Sequence, residues 1–415
     1  MTTRWNVSSW RAGGIGTQPA LPSSVAGRVF VQQLPARFNV DVDVPLRFGA
    51  ALSYRTSRVL HELVTRSAAP TSRTDEAAFI WVPLYTGFIG ARHILNSRSK
   101  LDEVDAAISL LQQSVTWRTR QEDHIIVVDM DRGRCFQSDL NSRDRFGKAT
   151  LLMLDGTESY GRIFDGSGQG AASVQQASGR CCFCRDIDVV IPPLIGLGAR
   201  APSDMPASLK AALESRQFPR RFFAAKRLLA SWRGNPNQSD WASPNVRRLL
   251  LQHADIPLPR GDGDGTPYKV RITSTARGWK FTHKQYVEEL LDSVFCLCPE
   301  GWAHWTPRFF EAIQTGCLPV LFKQANAAPN VLPFEGAIDY ASFVLVAAPR
   351  DVPSLGTMLH SIAVSPSLRQ RQRAMWRFRA KLDWTDLSSE GAFHTLWSQL
   401  SRSRHSWTPK NSTGV

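Results

Sequence analysis

The sequence has no apolar run long enough to cross a bilayer. The uncharged stretch Ala77–Ala91 is too short and is broken by Pro83 and two glycines, so no transmembrane helix is expected. Residues 1–27 carry two arginines, several serines and no acid, and they lack the compact apolar core of a signal peptide. Proline (25) and glycine (28) are neither abundant nor periodic, which excludes a collagen-like or low-complexity chain. Cysteine is sparse and odd in number (7). Cys181, Cys182 and Cys184 cluster, and Cys296 and Cys298 alternate along an expected strand. Buried free thiols are the expectation there, and a zinc site is not. Acid is also in deficit: 36 Asp and Glu face 50 Lys and Arg, for a net charge of +14. Such a chain attracts anions, whether nucleotide phosphates, acidic polysaccharide, nucleic acid or anionic headgroups.

What is present is enough for a large core. The chain of 415 residues is 43% apolar, with 13 Trp and 21 Phe, which excludes wholesale disorder and suggests two domains. The patterning reads as repeated strand–helix units. Residues 78–82 and 124–128 are continuous apolar runs, the kind buried on both faces of a parallel sheet. Between them, Leu101, Val104, Ile108, Leu111 and Val115 mark one face of a helix over 101–117. A second series begins near residue 227 and runs to about 346. The expected division is a disordered leader (1–27), a first Rossmann-like domain (28–200), a crossover (201–222), a second Rossmann-like domain (223–400) and a disordered tail (401–415). Two successive α/β series suggest doubly wound domains facing a cleft.

The stretch from Ser293 to Val320, SVFCLCPEGWAHWTPRFFEAIQTGCLPV, carries the most chemistry. A buried strand ends at Pro299, and Gly301 lets the backbone turn close to a ligand. Thr306 suits an N-cap and Pro307 the first helical position. That helix start directs free amides and a positive dipole end at a strand's carboxyl end, a natural diphosphate site. Arg308 in the first turn can add bidentate bonds, and Glu311 on the same face can accept from ribose hydroxyls. Gly316 ends the helix.

This stretch resembles the signature of the exostosin family of glycosyltransferases. Further resemblances follow in family order: 28–39 (RVFVQQLPARFN), 73–85, the Asp123-His124 pair before an apolar strand, 188–193 (DVVIPP), 228–234, 243–247 and 332–335. The resemblance implies the GT-B architecture and an inverting transferase that moves a sugar, typically from a UDP-sugar, onto a polysaccharide or glycoprotein glycan. It assigns Arg308 and Glu311 to the donor nucleotide, with Gly301 and Thr306 in support and Arg233 and Arg247 as further phosphate ligands. It offers Asp123 and His124 as the catalytic base, although they precede their strand whereas ligands gather where strands end. It also implies the Golgi lumen, allows a homo- or hetero-dimer, and requires no metal or other cofactor. Glu300 stands where the family often has a basic residue, and its carboxylate would oppose a diphosphate.

Other features have plainer readings. Asp129 and Asp131 follow an apolar strand and could hold a metal, but Asp is also common at such turns. Asp262 and Asp264 form a similar pair, and 166–170 is a flexible glycine-rich loop rather than a dinucleotide site. Arg369, Arg373 and Arg377 share one helix face, which is read as a solvated face in preference to a nucleic-acid stripe, with contact to an acidic glycan between the two. Two alternatives to an active transferase stay open: an exostosin-like binding protein without turnover, and a basic RNA-binding protein.

Overall fold

A computed structural model describes residues 18–41, 55–87, 89, 101–131, 133–135, 146–158, 181–195, 207–214, 218–239, 245–253, 269–275, 282–301, 303–323 and 330–405. The loop at 166–170 and the Asp262/Asp264 pair lie outside these residues, as do 1–17 of the expected leader and 406–415 of the expected tail. The strands are β1 (Val29–Val31), β2 (Pro70–Thr71), β3 (Phe79–Val82), β4 (His124–Val128), β5 (Thr150–Met153), β6 (Gly156–Thr157), β7 (Val189–Val190), β8 (Leu228–Gly234), β9 (Lys269–Ser274), β10 (Ser293–Cys298), β11 (Leu318–Phe322), β12 (Asn330–Val331) and β13 (Leu345–Ala347).

The chain forms two compact units. The first holds a parallel sheet in the order β2-β1-β3-β4-β5-β7. Both apolar runs singled out above are central strands, β3 and β4, buried at every residue. The expected helix over 101–117 is two pieces, Leu101–Gln113 and Val115–Thr119. Ser114 divides them: its hydroxyl accepts from the Trp117 amide at 3.1 Å and caps the second piece. That break turns Val115 outward, 66% exposed, while Val104, Ile108 and Leu111 stay in the core.

The second unit repeats the arrangement, with the parallel order β9-β8-β10-β11-β13. Thr282 starts helix His283–Asp292 with a capping box to Gln285. Asn245 caps helix Val246–Gln252 by accepting from the Arg248 amide. Each unit is thus a doubly wound α/β sheet, the building block of the GT-B architecture expected from the sequence.

The division between units departs from the expected boundaries. The first unit comprises 1–194, 331–338 and 380–415; the second comprises 195–330 and 339–379. Residues 380–400 therefore leave the second domain. The reason is aromatic packing: Trp397 is fully buried, with its ring centroid 5.3 Å from Phe79 and 6.3 Å from Trp81. Trp384 donates its indole N–H to the Pro192 carbonyl at 2.8 Å. The expected leader is also partly structured, since Val25 is buried and the Ala20 amide donates to the Leu387 carbonyl. Within 201–222, helix Ala207–Glu214 and the start of helix Arg220–Ala224 belong to the second unit rather than to a bare crossover.

The expectation of free thiols is corrected as well. Cys181 and Cys184 are disulfide-bonded, as are Cys296 and Cys317, while Cys298 is a buried free thiol. The second bond arises because β11 lies alongside β10, with Leu318 opposite Phe295, which brings the Cys296 and Cys317 Cα atoms within 5.7 Å. No helix among the described residues is long and apolar enough to cross a membrane.

Candidate active site

In a doubly wound sheet, ligands collect where neighbouring strands send their chains to opposite sides. In the second unit that point lies between β8 and β10, at their carboxyl ends. Asn235 follows β8, and Pro299, Glu300 and Gly301 follow β10. The sequence-derived donor residues converge here.

Arg247 ties the two chain ends together. Its Nε donates to the Glu300 carbonyl at 2.7 Å and its Nη1 to the Asn235 carbonyl at 3.1 Å. A Cβ at Gly301 would stand 3.2 Å from Arg247 Nη2, so glycine allows this close approach. Helix Pro307–Gln314 begins as expected, with Thr306 extended at the N-cap and Pro307 at the first position. One detail is corrected: the Thr306 hydroxyl accepts no bond from the first-turn amides. The helix ends at Gly316, which has φ +67°, a conformation that favours glycine.

Arg308 is nearly enclosed, at 8% exposure. Its Nη2 donates to the Arg233 carbonyl, and its guanidinium lies 5.0 Å from the centre of the Tyr286 ring. Its Nη1 is sealed from solvent and has no hydrogen-bond partner among the described residues. Leaving a buried donor unmatched costs about 1–3 kcal/mol, more when it is charged. Burial, and then the neighbouring Arg308 charge, pulls the Arg247 pKa down to about 10. Two positive charges that influence one another in this way favour a nearby anion.

Glu311 accepts a hydrogen bond from the Tyr286 hydroxyl. Burial raises the Glu311 pKa, with the Tyr286 bond and the Arg308 charge working against the rise. Burial also lifts the Tyr286 pKa well above that of a free phenol, so it remains a donor. Sequence reasoning missed Tyr286. It sits inside an ordinary amphipathic helix, and no local pattern distinguishes it from a packing residue.

Arg233 is reassigned. Its guanidinium forms a buried ion pair with Glu289, and it is its backbone carbonyl that meets Arg308. The Glu300 carboxylate lies 3.1 Å from His304 Nδ1.

The expected base lies in the first unit. Asp123 and His124 lie at the amino end of β4, enclosed. Asp123 pairs with Arg120 at 2.6 Å, and Arg120 also donates to the Thr74 and Ala77 carbonyls. His124 bonds the Arg120 carbonyl through Nδ1 and packs against Trp117 at 4.9 Å. These contacts hold a turn together, and the residues sit at the sheet edge opposite the one where ligands gather. Asp129, at the carboxyl end of β4, is fully buried and accepts from the Ser57 amide, the Thr86 hydroxyl and the Gly87 amide. Burial raises its pKa to about 6. Its oxygens serve the start of helix Thr56–Arg66 and the turn after β3, which accounts for it without a metal. Among the described residues, no group of three or more His, Cys, Asp or Glu is arranged to hold an ion. The first unit's own switch point, between β1 and β3, presents a pair that sequence reasoning also missed. Tyr85 follows β3, and its hydroxyl lies 2.9 Å from Nδ1 of the half-buried His61. Burial lowers the His61 pKa.

The exostosin GT47 domain model matches residues 23–362. The probable glucuronosyltransferase GUT1 of Oryza sativa subsp. japonica is 26% identical over 355 residues, covering 83% of this chain and 73% of its own length. The probable beta-1,4-xylosyltransferase IRX10L of Arabidopsis thaliana is 26% identical over 382 residues, covering 90% of this chain and 81% of its own. Among solved structures, Anabaena HepE in complex with UDP and glucose aligns with 92% of this chain and 100% of its own at 10% identity, with a TM-score of 0.38. The matched span contains both unit sheets, the switch-point arginines and Glu311, and on that ground the chain belongs to the exostosin GT47 family of glycosyltransferases.

Proposed function

We propose that the protein transfers a sugar from a UDP-sugar to a growing glycan with inversion at the anomeric carbon, and that the second unit's switch point binds the nucleotide. The observation that carries this reading is the buried, unmatched Arg308 Nη1 beside Arg247 at a helix start. An anionic diphosphate there satisfies the donor, offsets the paired positive charges and gains from the helix terminus. Glu311, held by Tyr286, accepts from the ribose. As the sugar bond breaks, Arg308, Arg247 and the helix amides stabilise charge developing on the leaving diphosphate, so no divalent metal is required. The relatives are named probable glucuronosyltransferase and probable beta-1,4-xylosyltransferase, and a uronic or pentose donor is the first class to try.

The test is transfer from a panel of UDP-sugars to xylo-oligosaccharide acceptors, with the product's anomeric configuration read by NMR. Expected are UDP release, an inverted linkage and the same rate in EDTA. Retained configuration, or activity that stops in EDTA and returns with manganese, would overturn the mechanism.

Inversion needs a group to take the acceptor hydroxyl's proton. A candidate for that role beside Asp123 and His124 is His61, whose pKa burial lowers and whose Nδ1 lies 2.9 Å from the Tyr85 hydroxyl. His61→Ala should cut turnover roughly 10²–10⁴-fold with UDP affinity retained, and turnover within a few-fold of wild type would refute the assignment. We place the protein in an oxidising secretory compartment, the Golgi lumen. Disulfides such as Cys296–Cys317 persist in secretory compartments and are rare in the cytosol.

A further inference from the structure

The second unit carries another concave surface. Arg227 immediately precedes β8 and Asp292 immediately precedes β10, so a groove bordered by both lies at the amino edge of the sheet, away from the nucleotide site. Its volume is about 1240 Å³. Phe218 and Phe222, both half-buried, contribute apolar surface. Phe218 stacks on Phe223 with ring centroids 4.8 Å apart, and Phe222 packs against Trp376 at 6.0 Å.

Arginines surround these rings. Arg220 and Arg221 come from the short helix before β8, and Arg373 comes from helix Ser367–Phe378. Arg373 lies 5.7 Å from the Phe218 ring centre. Arg227 is neutralised by Asp292 at 2.9 Å. Glu288 lies 3.9 Å from Lys284. Arg220, Arg221 and Arg373 are exposed and have no carboxylate within ion-pair distance among the described residues. Beneath them, Lys226 is enclosed: its ammonium donates to the Leu291 carbonyl at 2.7 Å and lies 5.0 Å from the Phe222 ring centre. The groove therefore combines apolar rings with surplus positive charge.

We propose that this groove is a second glycan site, which holds an acidic, uronate-bearing stretch of polysaccharide away from the nucleotide. Pyranose C–H faces pack on phenyl rings, and uronate carboxylates pair with guanidinium groups. A neutral glycan would leave the arginines unused. A membrane would call for protruding apolar side chains, whereas these rings are recessed. Holding the polymer at a second point raises its effective concentration at the transferring site. This inference rests on the reading of the chain as a glycan-extending transferase.

Calorimetry of the full chain with an oligogalacturonide tests it, with a xylo-oligosaccharide, polyuridylate RNA and phosphatidylserine vesicles as comparators. Wild type should bind the oligogalacturonide, more weakly as salt rises, and the neutral oligosaccharide poorly. The triple variant Arg220→Gln, Arg221→Gln, Arg373→Gln should lose about tenfold or more in that affinity. UDP affinity should stay within about twofold, because the sites lie on opposite sheet edges. Equal binding of the uronate and neutral oligosaccharides, an unaffected triple variant, or loss confined to RNA or vesicles overturns the proposal. Oligogalacturonide binding without UDP binding would sink the donor assignment and leave the groove standing; UDP binding without oligogalacturonide binding would sink the groove alone.

Discussion

Replacing Arg308 by alanine should lower UDP affinity by about 2–5 kcal/mol, roughly thirtyfold to several-thousandfold. The size follows from burial. Arg308 is 8% exposed, so water screens its charge little. Removing it also leaves Arg247 as the sole guanidinium of the pair facing the diphosphate. Arg308→Ala loses a structural bond as well, the one to the Arg233 carbonyl, so the variant needs a companion. Arg308→Lys keeps the charge without the planar fork and should recover part of the affinity. Melting curves without ligand will show whether either variant is folded. Calorimetry with UDP on both decides the matter, and unchanged affinity in a folded Arg308→Ala would remove the core of the site. Uridine extends the measurement: Glu311→Ala should weaken uridine and UDP alike, whereas Arg308→Ala should spare uridine. Since burial raises the Glu311 pKa, its carboxylate protonates at higher pH than a surface glutamate. Uridine affinity should therefore fall as pH drops through that raised value.

Trp397→Ala should destabilise the protein by about 3–5 kcal/mol. The indole is fully buried against Phe79, Trp81 and Phe393, and its loss leaves a cavity too large to collapse. For a unit of this size that corresponds to a fall in melting temperature of about 6–20 °C. UDP affinity below the transition should be retained, because the proposed nucleotide site lies in the second unit. Thermal denaturation by circular dichroism, followed by calorimetry at low temperature, measures both. An unchanged melting temperature would show that helix Ala392–His405 contributes nothing to the first unit's core.

These experiments probe features that differ in how visible they were beforehand. Strands β3, β4 and β10 were legible because a strand buried on both faces must be continuously apolar, and the chain carries that demand locally. The helix start at Thr306 and Pro307 and its end at Gly316 were legible for the same reason, since cap chemistry is set by neighbouring residues. Arg308, Glu311 and Gly301 could be proposed together because they lie within eleven positions on one strand–turn–helix.

Contacts between distant segments were another matter. Whether Arg233 faces a ligand or Glu289 depends on helix His283–Asp292 lying beside β8, and sequence spacing does not report this. Cys296 and Cys317 looked like free thiols until β11 was laid next to β10. Asp123 and His124 matched a family block, but their enclosure at the amino end of β4 is set by packing that the block does not report. The sequence by itself determined the two α/β series and the strand–turn–helix around Thr306 and Pro307, because each is encoded in periodicity or in adjacent residues. Only the tertiary structure decided the return of 380–405 to the first unit, the pairing of Tyr286 with Glu311 and the unmatched Arg308 nitrogen. Those depend on which side chains close packing brings within a few ångströms across long loops, and linear order does not specify that distance.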